Sequence, residues 1–218
     1  MRTQSGSFPS LALRCLATVA IVLWGTSVFA QQCTPVAFEG WEDGLPGGWV
    51  GSAGSAAVVV SAGGNPGGYL RAEHSGLVGA QTSDPLWTGD LAAADLTTIE
   101  LDYLYETADL LQPFVRLRQS GATNGWYYFV ASIGVNDGLW HHYDVPVNPI
   151  WTDQQATAAG WVDVGPPNVS FAETVADVGI VQLSASAQAG TQALGIDNVA
   201  FIPCLFADGF EESPTRTN

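Results

Sequence analysis

Apolar and polar residues alternate with a period of two along much of this 218-residue chain, and a helical period is nearly absent. In 98–105, Ile99, Leu101, Tyr103 and Tyr105 fall on one face, while Glu100 and Asp102 fall on the other. In 113–119, Phe114, Arg116 and Arg118 oppose Val115 and Leu117. Such alternation predicts antiparallel strands with one buried face. Similar runs, rich in β-branched and aromatic residues, occupy 35–39, 56–61, 69–73, 126–132, 139–146, 178–186 and 193–202. Gly, Pro, Asn and Asp separate them, as turns require. Nine strands in one unit predict two packed sheets. Two segments, 152–161 and 170–178, are helical candidates. In the second, Ser170 and Glu173 have capping-box spacing, and Phe171, Val175 and Val178 recur on one side. One short helix across the open end of the sandwich is expected.

The ends change the picture of where the chain works. Arg2 and Arg14 precede the apolar run CLATVAIVLWGTSV, and small Ser27 and Ala30 follow. Residues 1–30 therefore read as a signal peptide cleaved before Gln31. Its apolar core is shorter than the ~20 residues a spanning helix needs. A secreted or periplasmic chain without a transmembrane segment is expected, an uncleaved anchor being the alternative. Residues 31–204 suffice for one domain with a substantial core. The acidic and polar stretch 205–218 offers little to bury, and disorder is expected there.

Net charge is −15, from 21 acids against 6 Arg and no Lys. Such a chain is repelled by phosphate backbones and anionic lipid surfaces, which excludes nucleic acid as a partner. After residue 30 only Cys33 and Cys204 remain. In an exported protein such a pair reads as a disulfide, or else as two free thiols. Bridged there, the terminal strands would leave the sulfurs in one direction and bring Glu39 and Asp197 to similar height.

Candidate chemistry is sparse. Trp126 and Tyr128 share one face of their strand, and Tyr127 and Phe129 the other; Trp140, His142 and Asp144 oppose His141 and Tyr143. One face of each strand must be core. Rings left outside would stack on sugars, with polar groups bonding the hydroxyls. Trp126, Tyr128, Trp140 and His142 are the candidates, and cross-strand pairs that merely cover backbone are the alternative. Glycosidases need two carboxylates across a cleft. Glu100 with Asp102, Glu106 with Asp109, and Asp137 with Asp144 are such pairs, but so acidic a chain yields them by chance. Adjacent His141 and His142 point opposite ways on a strand and do not suit one zinc ion. No GxSxG elbow is present. No catalytic residue is assigned, and the chain is not expected to be an enzyme.

Six pieces carry a family resemblance: FEGWEDGLPGGW (38–49), GGNPGGYL (63–70), TGDLAAADLTTIELDY (88–103), LWHHYDVPV (139–147), SFAETVADVGIVQLSA (170–185) and LGIDNVAF (194–201). In this order, over about 165 residues, the chain resembles the laminin IV type A (laminin B) domain and its jelly-roll relatives among carbohydrate-binding modules. It lacks the Cys-rich repeats that flank laminin modules, and so looks like a bacterial stand-alone secreted form. The resemblance implies an all-β, two-sheet antiparallel jelly-roll sandwich. It also implies a non-catalytic binding module for a glycan or cell-surface component. A structural adhesion protein without a small-ligand site is the second reading, and a glycoside-active enzyme the third. Finally, it implies a structural calcium ion, which takes six to eight oxygens. By motif position its ligands would be Glu39 and Asp197, with Asp43 added. The alternative is that these acids are solvated or accept bonds from Gly-rich backbone.

Overall fold

The computed structural model describes residues 34–203 except 108–109, 124, 133, 135, 166–168 and 188–189. Cys33, Cys204, the 1–30 segment and the tail beyond 204 lie outside the described residues. All nine expected strands form, as β1 (Ala37–Glu39), β3 (Ala56–Gly64), β4 (Gly67–His74), β6 (Leu96–Tyr105), β7 (Leu110–Gln119), β8 (Gly125–Phe129), β9 (Trp140–Pro146), β11 (Val178–Ala187) and β12 (Gln192–Pro203). Three others were not expected: β2 (Trp49–Gly51), β5 (Leu77–Thr82) and β10 (Trp161–Val164). β2 and β10 are too short to show a period, and β5 is rich in Gly and Ala.

The strands build two antiparallel sheets. Sheet A runs β3-β4-β12-β6-β9, with β1 also on β12; sheet B runs β10-β8-β7-β11-β5-β2. The alternation read from β6 and β7 holds. Ile99, Leu101, Tyr103 and Tyr105 are buried between the sheets, as are Val115 and Leu117. Apolar surface removed from water at roughly 25 cal/mol per Å² drives this packing. Two aromatic clusters occupy the interior. In one, Trp41, Trp49, Trp87 and Phe201 meet edge-on in sequence, with centroids 6.3, 5.4 and 5.1 Å apart. In the other, Phe171 contacts Trp126 at 5.4 Å, Trp161 at 5.2 Å and Trp151 at 6.1 Å.

Both helical candidates form helices, α1 (Asp153–Ala158) and α2 (Phe171–Ala176), where one was expected. The reason is local: Thr152 and Gln155 close a capping box on α1, just as Ser170 and Glu173 do on α2. Each box satisfies N–H groups that a helix start leaves unpaired. Phe171 N donates to Asp153 Oδ1 at 2.8 Å, joining the two helices. α2 buries Phe171 and Val175, and Val178 follows them into the core.

The first and last strands are neighbours. β1 pairs antiparallel with β12 through Ala37–Phe201, Phe38–Ala200 and Glu39–Val199. Val36 N adds a bond to Phe201 O at 2.9 Å.

Candidate ligand-binding face

Each sheet has an outer face, and the two differ in chemistry. On sheet A, the tip of the β3–β4 hairpin curls over the sheet and docks on its polar residues. Asn65 is the fastener. Its N–H donates to Asp197 Oδ2 at 2.6 Å, and its Nδ2 donates to Asp102 Oδ2 at 3.0 Å. Its carbonyl accepts from Asn198 Nδ2, which also donates to Asp102 Oδ2 at 2.7 Å. A bulge between Asp197 and Ala200 turns Asn198 toward the tip, at φ 48°. Asn tolerates this left-handed conformation better than most residues. His142 Nδ1 lies 2.7 Å from Asp102 Oδ1, and its Nε2 lies 3.2 Å from Asp144 Oδ1. Burial alone would lower the His142 pKa, but bonds and charge from Asp102 and Asp144 leave it raised.

Trp140 belongs to the same closure. Its Nε1 donates to Gly63 O at 3.0 Å, and its ring meets Tyr69 edge-on at 5.4 Å. A Cβ on Gly195 would come within 3.0 Å of Trp140 Cη2, so the indole lies against the β12 backbone. Nearby, Arg71 Nε and Nη1 bond Glu106 and Glu73, both at 2.7 Å.

The calcium expectation can be tested on these residues. Glu39 Oε1 accepts from Trp41 N at 2.9 Å, and Asp43 Oδ1 accepts from Leu45 N at 2.8 Å. Asp197 instead sits with Asp102 and Glu42, its Oδ1 accepting from Asn198 N at 2.8 Å. Among the described residues no three His, Cys, Asp or Glu side chains gather as a metal-ligand set. Glu39, Asp43 and Asp197 are therefore not gathered as one trio. One oxygen of Glu39, one of Asp43 and both of Asp197 accept backbone bonds. Burial pushes Asp197 up to about 6, against its two backbone bonds, and repulsion from Asp102 and Glu42 adds to the rise.

The outer face of sheet B has a partly exposed aromatic edge and a buried centre, where Phe114, Gln182 and Ser184 lie. Register places Val162, Tyr127, Arg116, Gln182, Gln81 and Val50 in one row across all six strands. Beside it, Phe129 pairs with Phe114, and Phe114 with Ser184. The Tyr127 and Phe129 rings are near-parallel, 21° apart with centroids at 6.3 Å. Phe114 supports both from below, at 5.1 and 6.0 Å. Phe129 is 38% exposed, and Val162 and Val164 on the edge strand extend the apolar strip.

Arg116 divides the aromatic end of this face from its polar end. Its guanidinium carbon stands 4.8 Å over the Tyr127 ring. Nη1 donates to Gln182 Oε1 at 3.3 Å and Nη2 to Thr123 O at 2.6 Å. Gln182 Nε2 donates to Ser184 Oγ at 3.1 Å, which meets Ser52 Oγ at 2.9 Å. Arg116 Nε is buried with no partner among the described residues. Burial lowers the Arg116 pKa. Further along β7, the face dips into a hollow of about 480 Å³ lined by Arg118, Ser83, Ser120, Thr123 and Ile180.

The expected ligand residues divide unevenly. Trp140 and His142 are on the outer face of sheet A, within the closure just described. Trp126 and Tyr128 face inward. Trp126 is 3% exposed, packs on Phe171 and donates Nε1 to Val169 O at 2.9 Å. Tyr128 packs edge-on against Trp161 at 5.5 Å. The assignment of faces on β8 is thus reversed, because α2 and β10 give Trp126 and Tyr128 their partners inside. Sequence reading did not single out Tyr127, Phe129, Arg116 or Gln182 on this face. One signal was available: Arg116 shares a face with Phe114, opposite the core residues Val115 and Leu117, and Tyr127 is its cross-strand partner.

No protein-family model matches the chain, and no curated protein matches it. Solved structures do. The carbohydrate-binding module CtCBM11 superposes with TM-score 0.53 at 15% identity, over 81% of this chain and 99% of its own. The tandem CBM22 domains of Paenibacillus barcinonensis Xyn10C give 0.51 at 15% identity, over 81% of this chain and 51% of theirs. An exo-β-agarase gives 0.53 at 14% identity, over 76% of this chain and 24% of its own. At these identities the likeness establishes the fold, a two-sheet sandwich shared with carbohydrate-binding modules.

Proposed function

We propose that this chain is a secreted or periplasmic, non-catalytic module that binds a glycan along the outer face of sheet B. The observation that carries the reading is the near-parallel Tyr127–Phe129 pair, half-buried at Tyr127 and exposed at Phe129, with Tyr127 beside Arg116 and the partly exposed Gln81 in its cross-sheet row. Parallel rings on a rigid strand suit the apolar faces of successive sugars, and a guanidinium and the partly exposed Gln81 amide beside them suit hydroxyls. The fold shared with carbohydrate-binding modules is consistent with this use, though fold alone does not assign function. No carboxylate lines the hollow, so the two acids of a glycosidase are not met there.

The reading includes export with cleavage before Gln31 and a Cys33–Cys204 disulfide. Pairing of β1 with β12 supports that bridge, and the mass of the mature protein under non-reducing conditions tests it. Calcium at Glu39, Asp43 and Asp197 is not carried into the reading.

The experiment is retention of the purified chain by a panel of immobilised polysaccharides, with Tyr127→Ala and Phe129→Ala beside the parent. Binding that weakens by about tenfold or more in each variant is expected, as for a central aromatic anchor. Cell-surface retention without any glycan binding would favour the adhesion reading. Turnover of a polysaccharide would favour the enzyme.

A further inference from the structure

The charges of the two sheets differ in sign. Strands of sheet A carry Glu39, Glu73, Glu100, Asp102, Asp144 and Asp197 against one Arg, Arg71. Strands of sheet B carry Asp163 against Arg116 and Arg118. In a chain with 21 acids, cations normally find carboxylates, and Arg71 finds two. Arg116 and Arg118 have none within ion-pair distance among the described residues. Both point outward from β7, two residues apart, where like charges oppose one another. Arg116 is fixed by neutral acceptors and keeps a buried Nε unpaired. Arg118 lines the hollow, whose other polar groups are neutral. Asp177, beside the hollow, is already bonded to Ser120 Oγ at 2.8 Å.

We propose that the glycan bound by this module is acidic, a polymer containing uronic acid, with Arg118 receiving a sugar carboxylate in the hollow. The assignment rests on the glycan-binding reading and deepens it. About 480 Å³ lies within the range of small-ligand pockets. A guanidinium fork matches a planar carboxylate through two parallel bonds. The neighbouring Arg116 adds long-range attraction and relieves its own repulsion with Arg118 once the anion is bound. One sugar ring on Tyr127 and Phe129 and an acid group at Arg118 would lie along the same strand direction. The chain's net charge of −15 opposes a polyanion overall, so the attraction must come from the Arg116–Arg118 pair on sheet B.

The test compares affinity for polygalacturonate and alginate with affinity for xylan, mixed-linked glucan and agarose, using the full chain. The acidic polymers are expected to bind more tightly, and Arg118→Gln is expected to lose about tenfold toward them. The same variant is expected to leave neutral-glycan binding unchanged. Arg71→Gln, which removes an equal charge from sheet A, is expected to have no effect on acidic glycans. About 0.5 M salt should narrow the difference between the parent and the Arg118→Gln variant toward acidic polymers. Neutral polymers bound as tightly as acidic ones, with Arg118→Gln silent, would overturn the inference and leave glycan binding standing. Retention of a sulfated galactan but of no uronate would overturn the carboxylate assignment. No binding to any polysaccharide would remove the underlying reading as well.

Discussion

The two sheets share one core and one alternating pattern, yet their outer faces have opposite fates. Sheet A covers part of its own surface and leaves His142 and Asp144 exposed. The β3–β4 hairpin tip folds onto it, and Asp102, Asp197, Asn198 and Trp140 bond that tip. Sheet B leaves Phe129 exposed and Tyr127 and Gln81 partly exposed, around Arg116 and Gln182 that bond one another. The difference teaches that aromatic and acidic content does not mark a binding site. What marks it is whether the chain has already engaged those groups. Trp140 and His142 are conspicuous in sequence and engaged in structure; Tyr127 and Phe129 are less conspicuous and available.

The largest effect should come from confusing inside with outside on β8. Trp126→Ala empties a space between Phe171 and Leu117 and should cost about 3–5 kcal/mol in denaturant unfolding. Tyr127→Ala, one residue away, should cost much less and abolish most glycan affinity. Equal losses of stability would erase the distinction drawn between the faces. Next comes the closure of sheet A. Asp102→Ala leaves donors on Asn65 and Asn198 short of an acceptor, and should cost about 3 kcal/mol without weakening glycan binding. Lost glycan affinity in that variant would mean that the hairpin tip belongs to the site.

A smaller effect is pH dependence. Asp197 titrates at about 6 in the folded chain, above its ordinary range, so the folded state holds its proton where the unfolded state has released it. His142 is also raised. Both contributions are present on the acid side and are lost as pH rises through the folded values. Tm should therefore be higher at pH about 5 than at pH about 8, and Asp197→Asn should flatten the difference. Asp137 and Glu173, whose pKa values are lowered, lose their contributions only in stronger acid. A Tm that climbs steadily toward pH about 8 would contradict the placement of Asp197 and His142. The smallest expected effect is that of a chelator, which should leave Tm unchanged. A fall in Tm would restore the structural cation that the family resemblance implies.

Much of the fold was legible because period-two alternation is a physical consequence of burying one sheet face. β6 and β7 show it cleanly, and the Ser170–Glu173 box announced α2. β2 and β10 were hidden by brevity, and β5 by Gly and Ala, which lack a strong strand preference. The site was harder. Alternation groups Trp126 with Tyr128 and Tyr127 with Phe129, but it does not say which pair faces inward. That choice depends on Phe171 and Trp161, which come from distant sequence and pack only in the folded chain. Glu39 and Asp197 were rightly placed on neighbouring strands. Asp197 stands opposite Asp102 in regular register, while Glu39 pairs with Val199 beyond the bulge at Asn198, and no spacing rule shows a bulge in advance.

The central claim is that the ligand lies on sheet B and not on sheet A. Its most direct measurement is glycan affinity of the Tyr127→Ala/Phe129→Ala double variant beside Trp140→Ala, each checked for folding by its near-ultraviolet spectrum. Loss of binding in the double variant with binding kept in Trp140→Ala is the expected result. Binding kept in the double variant and lost in a folded Trp140→Ala would contradict the account.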